Sequence, residues 1–185
     1  NVPKDIDNPE GGYAFYTSEI TNFNQVNAVT PGTKEYETVI HDIDLIATKI
    51  QRMESEGVTI LFRPLHEASG AWFWWGLQGR DSATNEVFQK LWYMIYDRLE
   101  NYHKLTNIIW VWNGQNVSYY PGDEYVDIMG YDVYADAGDY SSKKWYYDYT
   151  KSTTSAKKIV ALTENGTLFD PDTAMNDGTR WCWFA

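Results

Sequence analysis

The chain has 185 residues, of which 43% are hydrophobic and 17% aromatic, so it is long enough for one domain, 1–185, with a substantial core. Its formal net charge of −11 offers no basic face to the phosphates of a nucleic acid or an anionic membrane, so a neutral partner is expected. No apolar run approaches the about 20 residues that cross a bilayer, and the single cysteine, Cys182, excludes an intrachain disulfide.

The first third of the chain is predicted to contain a long loop, one helix and one strand. Residues 1–31 are rich in Asn, Asp, Gly, Pro and Thr, which indicates a loop with a short helical turn near 16–23. Residues 34–56 predict a helix that ends at Gly57, because apolar side chains recur at i, i+3 and i+4. The apolar run 58–62 then predicts a strand that is buried on both faces.

The rest of the chain alternates between helix and strand patterns. A second helix is predicted over 85–103, with Asp81, Ser82 and Thr84 as candidate capping residues, and a third, poorly periodic helix over 143–154. Strand patterns occupy the following ranges: 107–112, 125–130, 158–163 and 181–185. Strands separated by helical segments imply parallel β/α units, an α/β fold whose strands share one carboxyl-terminal edge.

Polar side chains follow four of the predicted strands at the point where each strand ends. Arg63, His66 and Glu67 follow the first strand, and four aromatic residues come next, at 72–75. The later strand ends supply the following residues: Asn113, Asp132, Tyr134 and Glu164. Because the carboxyl ends of parallel strands meet at one edge of a sheet, we expect these side chains to converge beside an aromatic wall.

Two glutamates at strand ends suit the hydrolysis of a glycosidic bond, in which one carboxyl protonates the leaving oxygen and the other attacks the anomeric carbon. An aromatic pocket disfavours the charged form of a carboxyl, which suits Glu67 to be the acid/base. Hydrogen bonds from a Tyr hydroxyl and an Arg favour the charged form, which suits Glu164 to be the nucleophile, with Tyr134 as a donor. For either glutamate a solvated or ion-paired carboxylate is the alternative, and for the many aromatic residues it is simple core filling.

Other site chemistries find less support in the sequence. His66 has no second His or Cys at metal-ligand spacing, since His41 and His103 lie on the predicted helices, so neither a metal nor a cofactor is predicted. A Ser-His-Asp triad would lack its G-x-S-x-G elbow, and there is no phosphate-binding glycine loop. The D-P-D run at 170–172 offers oxygen ligands for calcium, but a solvated turn with a capping Asp is favoured.

Four segments resemble the family 26 glycoside hydrolases, the endo-acting β-mannanases of a clan of retaining (β/α)8-barrel enzymes. The segments are R-P-L-H-E-A-S-G-A-W-F-W-W-G (63–76), Y-Y-P-G-D-E-Y-V-D-I-M-G-Y-D-V-Y (119–134), A-L-T-E-N-G (161–166) and W-C-W-F (181–184). The resemblance implies a TIM-barrel fold and a secreted, cofactor-free enzyme that cleaves the β-1,4-mannosidic bonds of mannan by double displacement. The same mechanism on mixed-linkage β-glucan or xylan, or a catalytically silent carbohydrate-binding barrel, are the alternatives.

The resemblance also implies a role for each site residue. Glu67 is implied to be the acid/base and Glu164 the nucleophile, with Tyr134 as a hydrogen-bond donor to the nucleophile and Arg63 as a support for the carboxylates. Three further residues are implied to bind the sugar: His66, Trp72 and Asp132. Where the family motif usually reads H-E-M-N-G, this chain has H-E-A-S-G at 66–70 and lacks that Met and Asn.

The extent of the resemblance also leads to an expectation about stability. A complete barrel has eight β/α units and typically about 250 residues, and the resemblance covers strands four to eight, from the loop after strand three to a point within strand eight. We therefore expect further residues on both sides. Half a barrel exposes sheet edges and an apolar interior, so the 185 residues on their own are expected to aggregate or to form a molten species.

Overall fold

A computed structural model describes the chain over residues 1–79 and 82–185, with the side chains of 77–84 outside the description. Two short strands, β1 (Val2–Pro3) and β2 (Tyr13–Ala14), form an antiparallel pair. Four parallel strands form the main sheet in chain order: β3 (Ile60–Phe62), β4 (Ile108–Trp112), β5 (Ile128–Val133) and β6 (Ile159–Asn165). The α-helices are α1 (Gln25–Ala28), α2 (Lys34–Ser55), α3 (Ser82–Tyr96), α4 (Lys144–Ser152) and α5 (Pro171–Asp177).

The helix predicted over 34–56 is observed as α2 with nearly the same bounds. Thr33 caps it, because the hydroxyl oxygen of Thr33 accepts a hydrogen bond of 3.2 Å from the backbone N–H of Tyr36. Gly57 follows with a φ of +72°, a left-handed conformation that glycine adopts at little cost and that ends a helix. The predicted apolar stripe faces the core through its buried members: Val39, Ile43, Ala47 and Ile50.

The second predicted helix is observed as α3, continued by a π-helical turn at Asp97–Tyr102. Of its predicted capping residues, Asp81 and the side chains of Ser82 and Thr84 lie outside the described residues. Arg98 donates two hydrogen bonds of 2.8 Å to the carboxylate of Asp44, and this bidentate pair ties the turn to α2. The inner face of α3 is fully buried at Phe88, Leu91 and Trp92. Burial of a side chain such as Phe or Leu stabilises a fold by about 1.5–3 kcal/mol.

The predicted strands differ from the observed ones in their bounds. The strand predicted over 58–62 is observed at Ile60–Phe62, and the expectation that both of its faces are buried is wrong, since Leu61 is 54% exposed. The strand predicted over 125–130 is wrong at its start: Tyr125 ends a 3-10 turn that begins after Gly122, whose φ is +118°, and pairing begins at Ile128. The segment predicted as a strand over 181–185 does not form a regular strand. It lies parallel to β6 with one bridge at Phe184 and backbone hydrogen bonds such as Cys182 N–H to the carbonyl of Val160 at 2.9 Å.

The irregular parts of the chain contain more structure than the sequence predicts. The helical turn expected near 16–23 is observed as a 3-10 turn at Thr17–Glu19. The short helix α1 begins after that range and was not expected. Helix α5 was not predicted, although Asp170 was interpreted as a capping residue. Its carboxylate accepts a 3.0 Å hydrogen bond from the backbone N–H of Thr173, so the capping interpretation of the D-P-D run is confirmed.

The two edges of the main sheet differ. One edge is covered, since β6 pairs with the segment 182–185. Within the part of the chain that the structure describes, no strand pairs with the other edge of β3, and Leu61 is 54% exposed there. An apolar cavity of about 210 Å³ lies next to this strand, between α2 and α3. None of the described helices combines the length and the apolar character needed to cross a membrane.

Candidate active site

Three carboxylate side chains meet at the carboxyl-terminal edge of the sheet. Glu67 lies in the turn after β3, Asp132 near the end of β5, and Glu164 near the end of β6. One oxygen atom from each carboxyl group lies within 4.8 Å of the other two. The predicted pair of Glu67 and Glu164 is therefore brought together, and Asp132 joins it. We call these three residues the carboxylate cluster.

Arg63 connects two members of the carboxylate cluster. Its Nη1 donates a 3.0 Å hydrogen bond to Oδ2 of Asp132, and its Nη2 donates a 2.5 Å hydrogen bond to Oε1 of Glu164. The side chain of Arg63 is 25% exposed, and that of Asp132 is fully buried. A charged fork between two carboxylates offsets part of their mutual repulsion and fixes their separation.

The environment of Glu164 favours its ionised form. Burial by itself would raise the pKa of this carboxyl, but hydrogen bonds from the Tyr134 hydroxyl and from Arg63 outweigh burial, and the pKa of Glu164 is lowered below 4.5. The hydrogen bond to Glu164 in turn raises the pKa of Tyr134 to about 12, so the phenol keeps its proton at ordinary pH. Glu164 is thus a carboxylate held by two donors.

The environment of Glu67 favours its protonated form. Burial is the largest cause, and the neighbouring Asp132 and then the charge of Glu164 add to it, which raises the pKa of Glu67 to about 7. The indole Nε1 of Trp72 donates a 3.1 Å hydrogen bond to Oε2 of Glu67 and opposes part of the shift. A carboxyl that still holds its proton near neutral pH is suited to be a general acid.

The turn that carries Glu67 has an unusual backbone. Leu65 and Glu67 have φ values of +54° and +52°, in the left-handed region that side chains other than Gly, Asn and Asp seldom adopt. Such residues each cost on the order of 1–3 kcal/mol and cluster at functional sites. The backbone N–H of Glu67 donates a 3.0 Å hydrogen bond to the carbonyl of Asn113 after β4, which holds the turn against the neighbouring strand.

His66 lies against the aromatic wall. Its ring centre is 4.7 Å from that of Phe73 and 5.6 Å from that of Trp75, and its backbone carbonyl accepts a 2.8 Å hydrogen bond from the indole of Trp75. Burial, and then the charge of Arg63, lower the pKa of His66, so its imidazole is neutral at neutral pH. The predicted sugar-binding residues His66 and Trp72 thus flank the carboxylate cluster, and Trp72 is 45% exposed.

The sequence alone does not place several residues that the structure brings to the site. The N-terminal loop contributes Phe15 and Tyr16: the backbone of residues 15–17 is hydrogen-bonded to that of 72–74, and Tyr16 stacks on Phe73 with ring centres 5.4 Å apart. Thr163 was not singled out, although its hydroxyl reaches Asp132. Asn113 was expected at this edge, but without a role. No local spacing links these residues, and only their aromatic and polar character at strand or loop ends could have suggested them.

The fold and the carboxylate cluster define a class of protein: a parallel β/α sheet of about half-barrel extent, with paired carboxylates at the carboxyl ends of its strands. Within that class, the sequence profile described as Glycosyl hydrolase family 26 matches residues 1–185, and the chain belongs to this family. The predicted family is therefore confirmed, as is the predicted (β/α)8-barrel fold class, which the chain represents in part.

Individual relatives agree with the family assignment. The mannan endo-1,4-beta-mannosidase A of Piromyces sp. is 40% identical over 174 residues, which are 94% of this chain and 27% of that protein. The crystal structure of a beta-mannanase from a symbiotic protist of the termite Reticulitermes speratus, complexed with gluco-manno-oligosaccharide, is 37% identical and has a TM-score of 0.82 over 92% of this chain and 52% of that one. Endoglucanase H of Acetivibrio thermocellus is 35% identical over 136 residues, which are 64% of this chain and 15% of that protein. The chain spans at most about half the length of these relatives.

Proposed function

We propose that this chain is the catalytic part of a retaining endo-β-1,4-mannanase that degrades the neutral hemicellulose mannan. The observation that carries the proposal is that two neighbouring carboxyl groups have opposite pKa shifts. The surroundings of Glu67 favour its protonated form, and those of Glu164 favour its ionised form. One oxygen atom of each carboxyl lies within 4.8 Å of one of the other, which fits the about 5–5.5 Å between the carboxyl groups of a retaining enzyme better than the about 6.5–9.5 Å of an inverting one. Membership of the family and similarity to proteins named mannan endo-1,4-beta-mannosidase support mannan as the substrate.

In the first step Glu164 attacks the anomeric carbon of the sugar on the non-reducing side of the cleaved bond. Glu67 donates its proton to the glycosidic oxygen as that bond breaks, so the leaving sugar departs as an alcohol. The products are a glycosyl ester on Glu164 and an ionised Glu67. Arg63 and Tyr134, which hold the two oxygens of Glu164, orient its carboxylate for attack.

In the second step Glu67 is the general base. It removes a proton from water, the oxygen of that water attacks the anomeric carbon, and the ester bond to Glu164 breaks. Two inversions give net retention of configuration, and both carboxyl groups return to their starting protonation states. The same raised proton affinity that makes Glu67 an acid in the first step makes it a competent base in the second.

The remaining site residues are proposed to bind the sugar. Trp72 exposes part of its indole beside Glu67, where a flat ring can stack on the C–H face of a pyranose. His66 is a neutral imidazole at the same place, and Asp132 is proposed to help hold the sugar next to the cleaved bond. A polymeric substrate also leads us to propose that the protein acts outside the cell.

The decisive experiment follows the anomeric configuration of the first product. With the protein expressed from its complete gene, proton NMR during hydrolysis of mannohexaose should show the β-anomer first, before mutarotation, and mannan viscosity should fall rapidly, as internal cleavage requires. The α-anomer as the first product would contradict double displacement by Glu67 and Glu164. No hydrolysis of any β-glycan would favour the silent carbohydrate-binding alternative, for which binding to mannan without turnover is the matching observation.

The second candidate substrate is a β-glucan, by the same mechanism. Its support is the 35% identity to a protein named endoglucanase H. Parallel rates on mannan and barley β-glucan, with xylan as a third arm, distinguish the two. We expect kcat/KM for mannan to be the highest of the three, and a higher value on barley β-glucan would transfer the assignment to that substrate.

A further inference from the structure

Asp132 is surrounded by donors that come from three different strands. Thr163 Oγ1 donates a 2.5 Å hydrogen bond to its Oδ1, and Asn113 Nδ2 donates a 2.7 Å hydrogen bond to its Oδ2, which also accepts from Arg63. Asn113 Nδ2 is in addition 3.2 Å from Thr163 Oγ1. An amide N–H can only donate, so the Thr163 hydroxyl accepts from Asn113. Its own proton is then available to an ionised Asp132, which accepts hydrogen bonds from Thr163, Asn113 and Arg63.

Two features of the sheet make this ring of hydrogen bonds possible. Asn113 follows β4 and Thr163 is in β6, so their side chains meet across β5, and they do so over Gly130. A Cβ atom at Gly130 would lie 2.6 Å from Cγ2 of Thr163 and 3.0 Å from Cβ of Asn113, so a larger residue there would push the two apart. The register also shifts, with Tyr131 opposite Leu162 and Asp132 opposite Glu164.

The register shift explains how two successive residues of β6 serve one site. In a regular strand, neighbouring side chains point to opposite faces. Here Thr163 is the extra residue of the shift, as in a β-bulge, and both Thr163 and Glu164 reach the carboxylate cluster. Thr163 is 4% exposed and Asn113 is 1% exposed, so the ring is shielded from water.

Asn113 touches both partners of an acid pair. Its side chain holds Asp132, and its backbone carbonyl accepts the backbone N–H of Glu67 at 3.0 Å. One oxygen atom of Glu67 and one of Asp132 lie within 4.8 Å of each other, and two carboxyl groups this close favour one proton for the pair. Burial also raises the pKa of Asp132, and the Thr163 hydroxyl and the charge of Arg63 oppose that rise. The proposed reaction uses that proton only when it is on Glu67. Hydrogen bonds that stabilise the ionised form of Asp132 therefore favour the state in which Glu67 carries the proton.

We propose that Thr163 and Asn113 are positioning residues, which keep Asp132 ionised and turned towards Glu67, so that the shared proton remains on the acid. The proposal rests on the proposed function of Glu67. Without the Thr163 hydroxyl, the buried charge of Asp132 has one donor fewer, and protonated Asp132 becomes more stable relative to protonated Glu67. In most of the molecules Glu67 is then ionised and cannot protonate the leaving oxygen.

The test compares two substrates that differ in their need for an acid. Mannotetraose releases a sugar alcohol, which must be protonated, whereas 2,4-dinitrophenyl β-mannobioside releases a phenolate, which departs without a proton. In the protein expressed from its complete gene, we expect Thr163→Val to lower kcat/KM on mannotetraose about 10- to 100-fold, the effect of one hydrogen bond to a charged group. On the dinitrophenyl substrate kcat/KM should change less than about threefold, since its bond breaks without the acid. Thr163→Ser, which keeps the hydroxyl, should restore most of the activity on mannotetraose.

The control is a buried threonine away from the carboxylate cluster. Thr150 is 1% exposed, and its hydroxyl donates to the carbonyl of Tyr146 within α4. Thr150→Val should not change the ratio of the two kcat/KM values, even if it lowers thermal stability. If Thr163→Val does not fold, Asn113→Ala is measured in the same way and should show the same selective loss, because it also removes a donor from Asp132.

Four outcomes overturn the proposal or separate it from the proposed function. Equal losses on both substrates would make Thr163 a purely structural residue, and no loss on either would remove its role altogether. Glu67→Gln is the reference: it should show the same selectivity between the substrates, only larger. If Glu67→Gln shows no such selectivity, the acid assignment itself is wrong. If it does and neither Thr163→Val nor Asn113→Ala does, only the positioning role fails.

Discussion

The turn after β3 and the end of β6 each place one glutamate in the carboxylate cluster, and their surroundings shift the pKa values of the two glutamates in opposite directions. Glu67 faces a carboxylate and the edge of an indole, and its pKa rises to about 7. Glu164 is held by a guanidinium and a phenol, and its pKa falls below 4.5. Identical side chains thus acquire different protonation states at one pH. The difference shows that the neighbours of a carboxyl group, and not its residue type, assign its chemical role.

The two regions also differ in how the backbone supplies the glutamate. Glu164 lies within a strand and is fixed by the ladder between β5 and β6. Glu67 lies beyond its strand, in a left-handed conformation held by a hydrogen bond to the carbonyl of Asn113. The position of the nucleophile therefore follows from the regular sheet, whereas that of the acid depends on a strained turn.

The largest expected effect comes from removing the nucleophile. Glu164→Gln keeps the shape of the side chain but cannot form the glycosyl ester, so kcat on mannan should fall by about 10⁴-fold or more. The loss should be similar on mannotetraose and on an activated aryl mannobioside, because both need the nucleophile. The exposed Glu124, changed to Gln, is the control and should keep full activity. Residual activity above about 10% would contradict the nucleophile assignment.

Removing the acid should give the next largest effect and a different pattern. Glu67→Gln should lower kcat/KM on mannotetraose by about 10²- to 10⁴-fold, the usual contribution of a general acid, and change it little on the activated substrate. The protonated form of Glu67 is needed, so wild-type kcat/KM should fall as pH rises through about 7. This decline should disappear in Glu67→Gln. A decline that persists unchanged would show that another group is titrating.

Arg63→Met should reduce the difference between the pKa values of the two glutamates by raising that of Glu164. The nucleophile must be ionised, so wild-type kcat/KM should fall as pH falls through a value below 4.5. Without the guanidinium, the pKa of Glu164 rises, and this decline should begin at a higher pH, with a loss of kcat of roughly 100-fold at the optimum. Lys4→Met, at an exposed ion pair with Glu19, is the control. An unshifted acidic decline would exclude Arg63 from the ionisation of Glu164.

Tyr134→Phe should have the smallest effect of the four. The phenol donates one hydrogen bond to Glu164 and is 69% exposed as a residue, so water can replace much of what is lost. We expect kcat to fall about tenfold, the value of one hydrogen bond to a charged group, with the acidic decline moving up by less than in Arg63→Met. Tyr140→Phe, at another exposed tyrosine, should leave the pH profile unchanged. A larger shift than that of Arg63→Met would reverse the order of the two donors.

Much of the sheet could be predicted from local pattern. The apolar runs before Arg63, Asn113 and Glu164 are strands, and α2 has nearly its predicted bounds, because periodicity and turn residues act within a few positions of the chain. The start of β5 was misplaced, because Tyr125 and Val126 continue the apolar pattern although the turn after Gly122 delays pairing until Ile128. The expected instability of the 185 residues on their own stays a prediction.

The site could be predicted only in part. The two glutamates were found because each comes after an apolar run that predicts a strand, and parallel strands end at one edge. The same reasoning does not say that Asp132 lies beside Glu67, or that Arg63 bridges two carboxylates. The two contacts of Arg63 join residues that are 69 and 101 positions apart in the chain. Nor does alternation predict Thr163 beside Asp132, because strict pleating turns Thr163 and Glu164 to opposite faces.

The sequence by itself determined the order of strands and helices, the family, and the two glutamates at strand ends, because these depend on residue types and short-range spacing. The sequence also indicates which glutamate is the acid, but only the tertiary structure decided the contacts that set the two protonation states. The protonation states depend on burial and on hydrogen-bond donors at or just after β3, β4 and β6. Two of these donors, Asn113 and Thr163, meet because Gly130 has no side chain and because the register shifts at Thr163. Proton affinity is set by the charges and donors within a few ångströms, and in this protein those come from distant parts of the chain.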